Sequence, residues 1–162
     1  MSEGAIDGGT GHAADDAAGP ASDRVAFARI SSEPISVDEC VAAVEGDAAG
    51  AVVSFAGVVR DHDGGRGVLA LHYEAHPAAG EVIAAAAERI AAEFPAVTIA
   101  VEHRIGDLGV GDLALACATA SAHRAEAFAA CAALVETVKE TVPIWKEQHF
   151  TDGGTEWVAS LG

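Results

Sequence analysis

The chain contains only two lysines, Lys139 and Lys146, and they stand seven positions apart, whereas its seven arginines are spread along the sequence. A lysine that is partly removed from water has a lowered pKa and can act as an acid, a base or a nucleophile. Each also has an ordinary interpretation. Lys139 would lie in the last turn of a helix, where a cation is favourable, and Lys146 would be a solvent-facing strand residue beside Glu147. The restriction of lysine to one segment favours a functional site there.

A second basic group, His123 and Arg124, lies at the predicted start of the helix that ends near Lys139. We expect Ser121 to cap this helix, which would place Arg124 near its third position. A cation there opposes the helix dipole, yet a helix N-terminus with added His and Arg is a good anion site. Pairing of Arg124 with Glu126 is the alternative of equal weight. Arg60 ends a predicted strand before a Gly-rich turn, which is typical both of ligand-binding and of ordinary solvated arginines.

Metal-binding and nucleotide-binding patterns are weak in this sequence. Two groups combine histidines with carboxylates in a way that suits zinc or iron: His72, Glu74 and His76, and Asp61, His62 and Asp63. Alternating polar residues are more often the solvated face of a strand, so we expect no metal. The glycines of residues 106–111 are not followed by a Gly-Lys-Ser/Thr sequence and predict a turn, and no GxSxG motif surrounds Ser121.

The hydrophobic pattern predicts elements in the order β-α-β-β-α-β-β-α-β-β. Strands are expected at 24–30, 50–60, 68–75, 97–105, 112–120, 144–150 and 156–159, and helices at 36–45, 77–94 and 123–141. The strands before and after the turn at 61–66 are expected to pair as a hairpin. Adjacent strand pairs with short turns predict an α+β fold, with mostly antiparallel sheets and three helices.

Length and charge restrict the class of protein. The 162 residues predict a single domain over 23–162, preceded by a disordered acidic leader over 1–22. A net charge of −16 argues against nucleic acid and anionic membrane surfaces as partners. The apolar runs are too short for a membrane span, and no secretory signal is recognisable. Three scattered cysteines without metal-ligand spacing indicate a reducing compartment, so we expect a cytoplasmic protein.

Several stretches, in order, resemble the large, catalytic subunit of molybdopterin synthase. They are VSFAGVVR at 53–60, LHYE at 71–74, HRIG at 103–106, GD at 111–112, SAHRAEAF at 121–128, VK at 138–139, VPIWKE at 142–147 and WV at 157–158. Together they cover roughly residues 24 to 159. No single stretch is diagnostic, but the ordered set is specific to this family.

The resemblance implies a hammerhead-like α+β architecture and a sulfurtransferase activity. Two copies would form a central dimer. Each would bind a small ubiquitin-like sulfur-carrier subunit that ends in a Gly-Gly thiocarboxylate, giving a heterotetramer. Two sulfurs would pass from this carrier to cyclic pyranopterin monophosphate and create the dithiolene of molybdopterin. The resemblance implies no cofactor and no metal at this step.

The pocket residues of the family fall on six positions of this sequence. Lys139 and Lys146 would be the catalytic residues. The substrate would be bound by Phe55, Arg60, His123 and Arg124. Fixed cations would hold a phosphate and a thiocarboxylate and stabilise the charge that develops during acyl transfer. Family members often carry an arginine soon after the C-terminal Trp. Here no basic residue follows Trp157, so the pocket would either have one cation fewer or use another, such as Arg104.

Two other functions stay open on the residues alone. A non-catalytic subunit that binds an anionic metabolite would need Arg60 and Arg124 but not a proton-active Lys139. A purely structural subunit would hold its basic residues in surface pairs. The predicted helix adds a constraint, since Arg124 and Lys139 are fifteen positions apart, or roughly 22 Å along its axis. One site that uses both would therefore need two subunits.

Overall fold

Four strands form the first sheet of the protein, whose computed structural model describes residues 19–159. They are β1 (Val25–Ser31), β2 (Ala51–Val58), β5 (Thr98–Arg104) and β7 (Leu113–Ser121). Their order across the sheet is β1-β5-β7-β2. β1 runs parallel to β5, and the other pairs are antiparallel.

The second sheet carries the lysine-bearing strand. It contains β3 (His62–Asp63), β4 (Arg66–Ala75), β6 (Gly106–Gly109), β8 (Ile144–Phe150) and β9 (Thr155–Ala159). Every pairing in it is antiparallel, and β4 lies between β6 and β8. The predicted C-terminal strand pair around residues 152–154 is confirmed by the β8–β9 register.

The three helices cover both faces of the first sheet. They are α1 (Val37–Val44), α2 (Ala79–Glu93) and α3 (Arg124–Thr141). Side chains of α2 and α3 pack with alternate residues of β5 and β7 around fully buried Ile83, Ile90 and Leu134. The other alternate residues face α1, through Cys40 and Val44. The predicted α+β class with three helices is confirmed, and no helix within residues 19–159 has the length and apolarity needed to cross a membrane.

The sequence Ser36-Val-Asp-Glu39 predicts a capping box at the start of α1, and the structure forms one half of it. The Ser36 side chain accepts a hydrogen bond from the Glu39 backbone N–H at 3.2 Å, as an N-cap should. The Glu39 carboxylate does not return to Ser36 but accepts from Arg29 at 2.7 Å. The Ser36 backbone N–H instead donates to the buried carboxylate of Glu102 at 3.2 Å.

The hairpin predicted between residues 50–60 and 68–75 is wrong. β2 pairs with β7 in the first sheet, whereas β4 belongs to the second sheet. Both edges of β4 are already occupied by β6 and β8, so β2 has no free edge there. After β2 the backbone of Val59 stays bonded to Gly111 and Asp112 before the chain crosses to the second sheet. Only the two-residue strand β3 turns back onto β4.

The segment predicted as a turn at 106–111 begins as the strand β6. Its backbone pairs with β4 over four residues, and its Leu108 is buried. Gly106 and Gly111 have φ of +94° and +86°, so a glycine at each end supplies the left-handed backbone that begins and ends the strand. The glycines therefore mark the limits of an edge strand rather than one loop.

The fold also begins earlier than the predicted domain boundary. A single 3-10 turn, Ala21–Arg24, precedes β1. Arg24 Nη1 donates to the carbonyl oxygens of Ala91, Phe94 and Val97 at 2.7, 3.2 and 3.2 Å. Because three backbone acceptors near the end of α2 hold this arginine, the turn belongs to the domain. The rest of the predicted leader, residues 1–18, lies outside the described residues.

Candidate functional site

Both lysines and Arg60 line one pocket of about 200 Å³. Lys139 comes from the last turn of α3, Lys146 from β8, and Arg60 from the crossing that follows β2. Asp63 and Tyr73 form part of the same wall. Three of the six residues expected to form the site are therefore together in one chain.

The break between α3 and β8 explains why residues seven positions apart share this pocket. Pro143 cannot continue the helix, so α3 ends at Thr141 and β8 begins at Ile144 in a new direction. Lys146 is directly opposite Tyr73 in the antiparallel β4–β8 pair. Directly opposite residues project from the same face of a sheet, so both side chains point toward the end of α3 that carries Lys139.

Asp63 is the negative group of the pocket. Its carboxylate accepts a hydrogen bond from Gln148 Nε2 at 2.7 Å and contacts Arg60 Nη2 at 3.4 Å. The hydrogen bond from Gln148 lowers the pKa of Asp63, so this group is ionised at neutral pH. Burial lowers the pKa of Lys146, against the opposing attraction of Asp63. Three cationic side chains and one carboxylate give this pocket the opposite sign to the chain as a whole.

His103 lies behind the pocket as a neutral group. Its Nδ1 donates to the carbonyl oxygen of Arg104 at 2.7 Å, which fixes the tautomer, and its ring meets Tyr73 edge-on at 5.1 Å. Burial lowers the pKa of His103 to about 4, and the nearby charge of Lys139 adds to this effect. The imidazole therefore shapes the site without adding charge to it at neutral pH.

Phe55 lies elsewhere in this chain. Its ring borders a separate, mostly apolar groove of about 360 Å³ between β2 and α3. Phe128, Cys131 and Val135 of α3 form the opposite wall, and Phe128 is exposed. The structure does not bring Phe55 to the pocket that contains the two lysines.

His123 and Arg124 lie at the opposite end of α3 from Lys139, and both are exposed. The N-cap predicted at Ser121 is wrong. Ser121 is the last residue of β7, where its hydroxyl donates to Glu126 at 2.9 Å, and His123 occupies the N-cap position. Arg124 is therefore the first helical residue rather than the third. Since Ser121 binds the Glu126 carboxylate, the predicted pairing of Arg124 with that group is replaced.

The other candidates have structural partners. Arg104, one of the two alternatives for the missing family arginine, contacts the Asp107 carbonyl oxygen at 3.4 Å and Asp112 at 3.8 Å. His72 contacts Asp107 at 2.6 Å on the second sheet. Among residues 19–159 no three His, Cys, Asp or Glu side chains are arranged to hold a metal ion.

Sequence reasoning missed Tyr73 and Gln148 as parts of the pocket and considered Asp63 only as a metal ligand. Both carry a signal in the sequence, because Gln148 is the single glutamine of the chain and Tyr73 is its single tyrosine. Rarity of type, which selected the lysines, would also have selected these two residues. The contact of Gln148 with Asp63 could not be predicted, because it depends on the register between β8 and β4.

Comparison with known proteins gives consistent matches. A curated molybdopterin synthase catalytic subunit 1 from Mycobacterium tuberculosis is 41% identical over 133 residues, which cover 82% of this chain and 90% of the relative. The crystal structure of molybdopterin synthase from Staphylococcus aureus superimposes with a TM-score of 0.76 at 34% identity, over 82% of this chain and 96% of that one. A chain in the Helicobacter pylori complex of molybdopterin-converting factor subunits 1 and 2 has the same fold, with a TM-score of 0.60 at 18% identity, over 84% of this chain and 89% of that one.

The family model described as MoaE protein matches residues 30–141. That stretch contains five of the six expected site residues and ends before the sixth, Lys146. Because this match covers more than half of the sequence and the relatives agree over most of it, the chain belongs to the MoaE family, the family of molybdopterin synthase catalytic subunits.

Proposed function

We propose that this chain transfers two sulfurs from a thiocarboxylated small carrier subunit to cyclic pyranopterin monophosphate, forming the dithiolene of molybdopterin. The observation that carries the proposal is the shared pocket of Arg60, Lys139 and Lys146. In a chain of net charge −16, a pocket with three cations and one carboxylate is a specific site for anions.

The chemistry of the pocket suits both reactants. The substrate carries a cyclic phosphate, and the sulfur donor is an anionic thiocarboxylate. Arg60 and Lys146 would hold these anions by charge-assisted hydrogen bonds. Lys139 would stabilise the charge that develops during acyl transfer and would move a proton at its Nζ atom. Burial of Lys146 strengthens its interaction with an anion, since less water competes for the ammonium.

The carrier is proposed to be a small ubiquitin-like subunit whose C-terminal Gly-Gly thiocarboxylate enters the pocket. The Helicobacter pylori neighbour, solved as a complex of subunits 1 and 2, supports a two-subunit arrangement. The pocket is lined by residues from both sheets and from the end of α3. We place this reaction in the cytoplasm, because all three cysteines are free thiols in the structure.

We propose further that the complete site lies across a dimer of this chain. Arg124 and Lys139 occupy opposite ends of α3, roughly 22 Å apart along the helix axis. His123 lies beside Arg124, so the same separation applies to it. A two-fold dimer would supply His123 and Arg124 from one subunit and Lys139 from the other, in two equivalent sites. Phe55 would contribute to such a site only if the groove between β2 and α3, which its ring borders, lay next to the shared site in the dimer.

The direct test is conversion of cyclic pyranopterin monophosphate by the full chain together with a thiocarboxylated carrier. Molybdopterin formation is expected with wild-type protein and a strong loss with Arg60→Ala. Arg89→Ala is the matched control, because Arg89 is an exposed α2 residue that pairs with Glu93 at 3.5 Å outside the pocket. Binding of the substrate without any turnover would refute the transferase and leave an anion-binding subunit.

A further inference from the structure

The single tyrosine of the chain lies in the same pocket as its only two lysines. Tyr73 is directly opposite Lys146 in the β4–β8 pair and lines the pocket together with Lys139. The family resemblance assigned no role to this residue. A side chain of a type that the chain uses once, placed among the proposed catalytic cations, calls for a physical explanation.

The hydroxyl of Tyr73 is available to a ligand. No hydrogen bond joins it to another residue in the part of the chain that the structure describes, and its oxygen is not sealed from solvent. A phenol that packs into a core normally finds a hydrogen-bond partner for its hydroxyl. Tyr73 packs against the buried cluster of Val59, Leu71, Leu108 and Ala114, and the centroid of its ring lies 5.1 Å from that of the nearly perpendicular His103 ring. The ring is thus held by packing, and Tyr73 is one of the residues that line the pocket.

We propose that Tyr73 contacts the substrate and donates a hydrogen bond from its hydroxyl to the anionic group held by Lys139 and Lys146. The identity of the substrate in this inference rests on the proposed function. The presence of an anion does not, because it follows from the cations that line the pocket. The donor set around that anion would then combine Arg60, two lysines and one phenol. A neutral donor adds direction to a site whose other donors are flexible cations.

The surroundings keep the hydroxyl a donor at neutral pH. Burial raises the pKa of Tyr73 above its ordinary value, so the proton stays on the oxygen. Asp63 is the carboxylate of the pocket, and it already accepts hydrogen bonds from Gln148 and Arg60. His103 uses its Nδ1 proton on a backbone carbonyl. Neither group therefore takes the place that an anionic ligand would fill beside the phenol.

The first experiment compares Tyr73→Phe with wild type in sulfur transfer by the full chain and its thiocarboxylated carrier. The substitution removes one oxygen and keeps the ring, so the packing against His103 remains. We expect KM for the pterin substrate to rise about 10-fold or more, since hydrogen bonds to charged groups are the strong ones. Thr155→Val is the control, because it removes one exposed hydroxyl from β9 outside the pocket. Values of KM and kcat within twofold of wild type for Tyr73→Phe would overturn the inference.

The second experiment separates this inference from the proposed function. Protein grown with 3-fluorotyrosine carries one fluorine, because position 73 is the only tyrosine. Titration with inorganic phosphate is expected to give a saturable shift of the single fluorine resonance, which Lys146→Ala should weaken. If wild type forms no molybdopterin, the proposed function fails while a saturable shift still supports a phenol–anion contact. A resonance that phosphate and the pterin substrate both leave unchanged would overturn the contact itself.

Discussion

The division of one active site between two subunits can be tested by mixing two inactive variants. Arg124 is the first residue of α3, and Lys139 lies in its last turn. Fifteen residues at 1.5 Å each separate them by roughly 22 Å along the axis. Extended side chains shorten this distance, but Arg124 and Lys139 of one chain cannot both contact one small substrate. Lys139→Ala and Arg124→Ala should therefore each inactivate every site of its own homodimer.

Random exchange of equal amounts of the two variants should restore activity. Half of the dimers would be mixed, and each mixed dimer would hold one doubly altered site and one intact site. Roughly a quarter of wild-type activity is therefore expected if the two sites work independently. The assay is molybdopterin formation, with exchange followed through two different affinity tags and mass spectrometry of the recovered dimers.

The control replaces the second variant by the double variant Lys139→Ala/Arg124→Ala. No dimer in that mixture contains Lys139, so no activity should return. Failure to recover activity in the first mixture, once exchange of subunits is demonstrated, would mean that Arg124 and Lys139 do not share a site across a dimer. The same null result is expected if each subunit used both residues by itself, so the experiment distinguishes the two arrangements directly.

Three further outcomes are expected. Lys139→Ala should reduce sulfur transfer at least ~100-fold while costing under about 1 kcal/mol of stability, and retention of more than about a tenth of the rate would contradict a catalytic role. Deletion of residues 1–18 should leave the melting temperature unchanged, whereas Arg24→Ala should lower it through the loss of three backbone hydrogen bonds. Burial holds the pKa of His103 at about 4, so its contribution to stability is present above pH ~6.5 and is lost as the pH falls toward 4. Denaturation across that range should show an acid loss of ~3 kcal/mol that His103→Gln reduces.

Local chemistry predicted most elements but not their partners. Ser36 and Pro143 carry their information within a few residues, so the start of α1 and the end of α3 were predictable. Strand pairing depends on which edges are free, and that is decided by distant segments. The hairpin prediction is wrong for this reason, because β6, where the sequence predicts only a turn, occupies an edge of β4 that β2 would need.

The pocket was predictable to the extent that residue type is informative. Lys139 and Lys146 stood out because the chain uses lysine nowhere else, and the structure brings them together with Arg60. Asp63 is of a common type, and its contact with Gln148 at 2.7 Å depends on the fold. His123 and Arg124 lie at the far end of α3, and their place in a site depends on a second copy of the chain, which no local pattern describes.

The acidic surface and the basic pocket act on an anionic substrate over different distances. At physiological ionic strength the Debye length is about 8 Å, so surface carboxylates farther than this from the bound anion are largely screened. Inside the pocket Lys146 is partly desolvated and acts at contact distance, where screening is weak. The net charge of −16 therefore slows the approach of an anion more than it weakens the binding of that anion in the pocket. Added salt should therefore first raise the association rate and only then weaken the contacts of Arg60 and Lys146. In a uniformly basic enzyme, added salt would instead lower the association rate from the start.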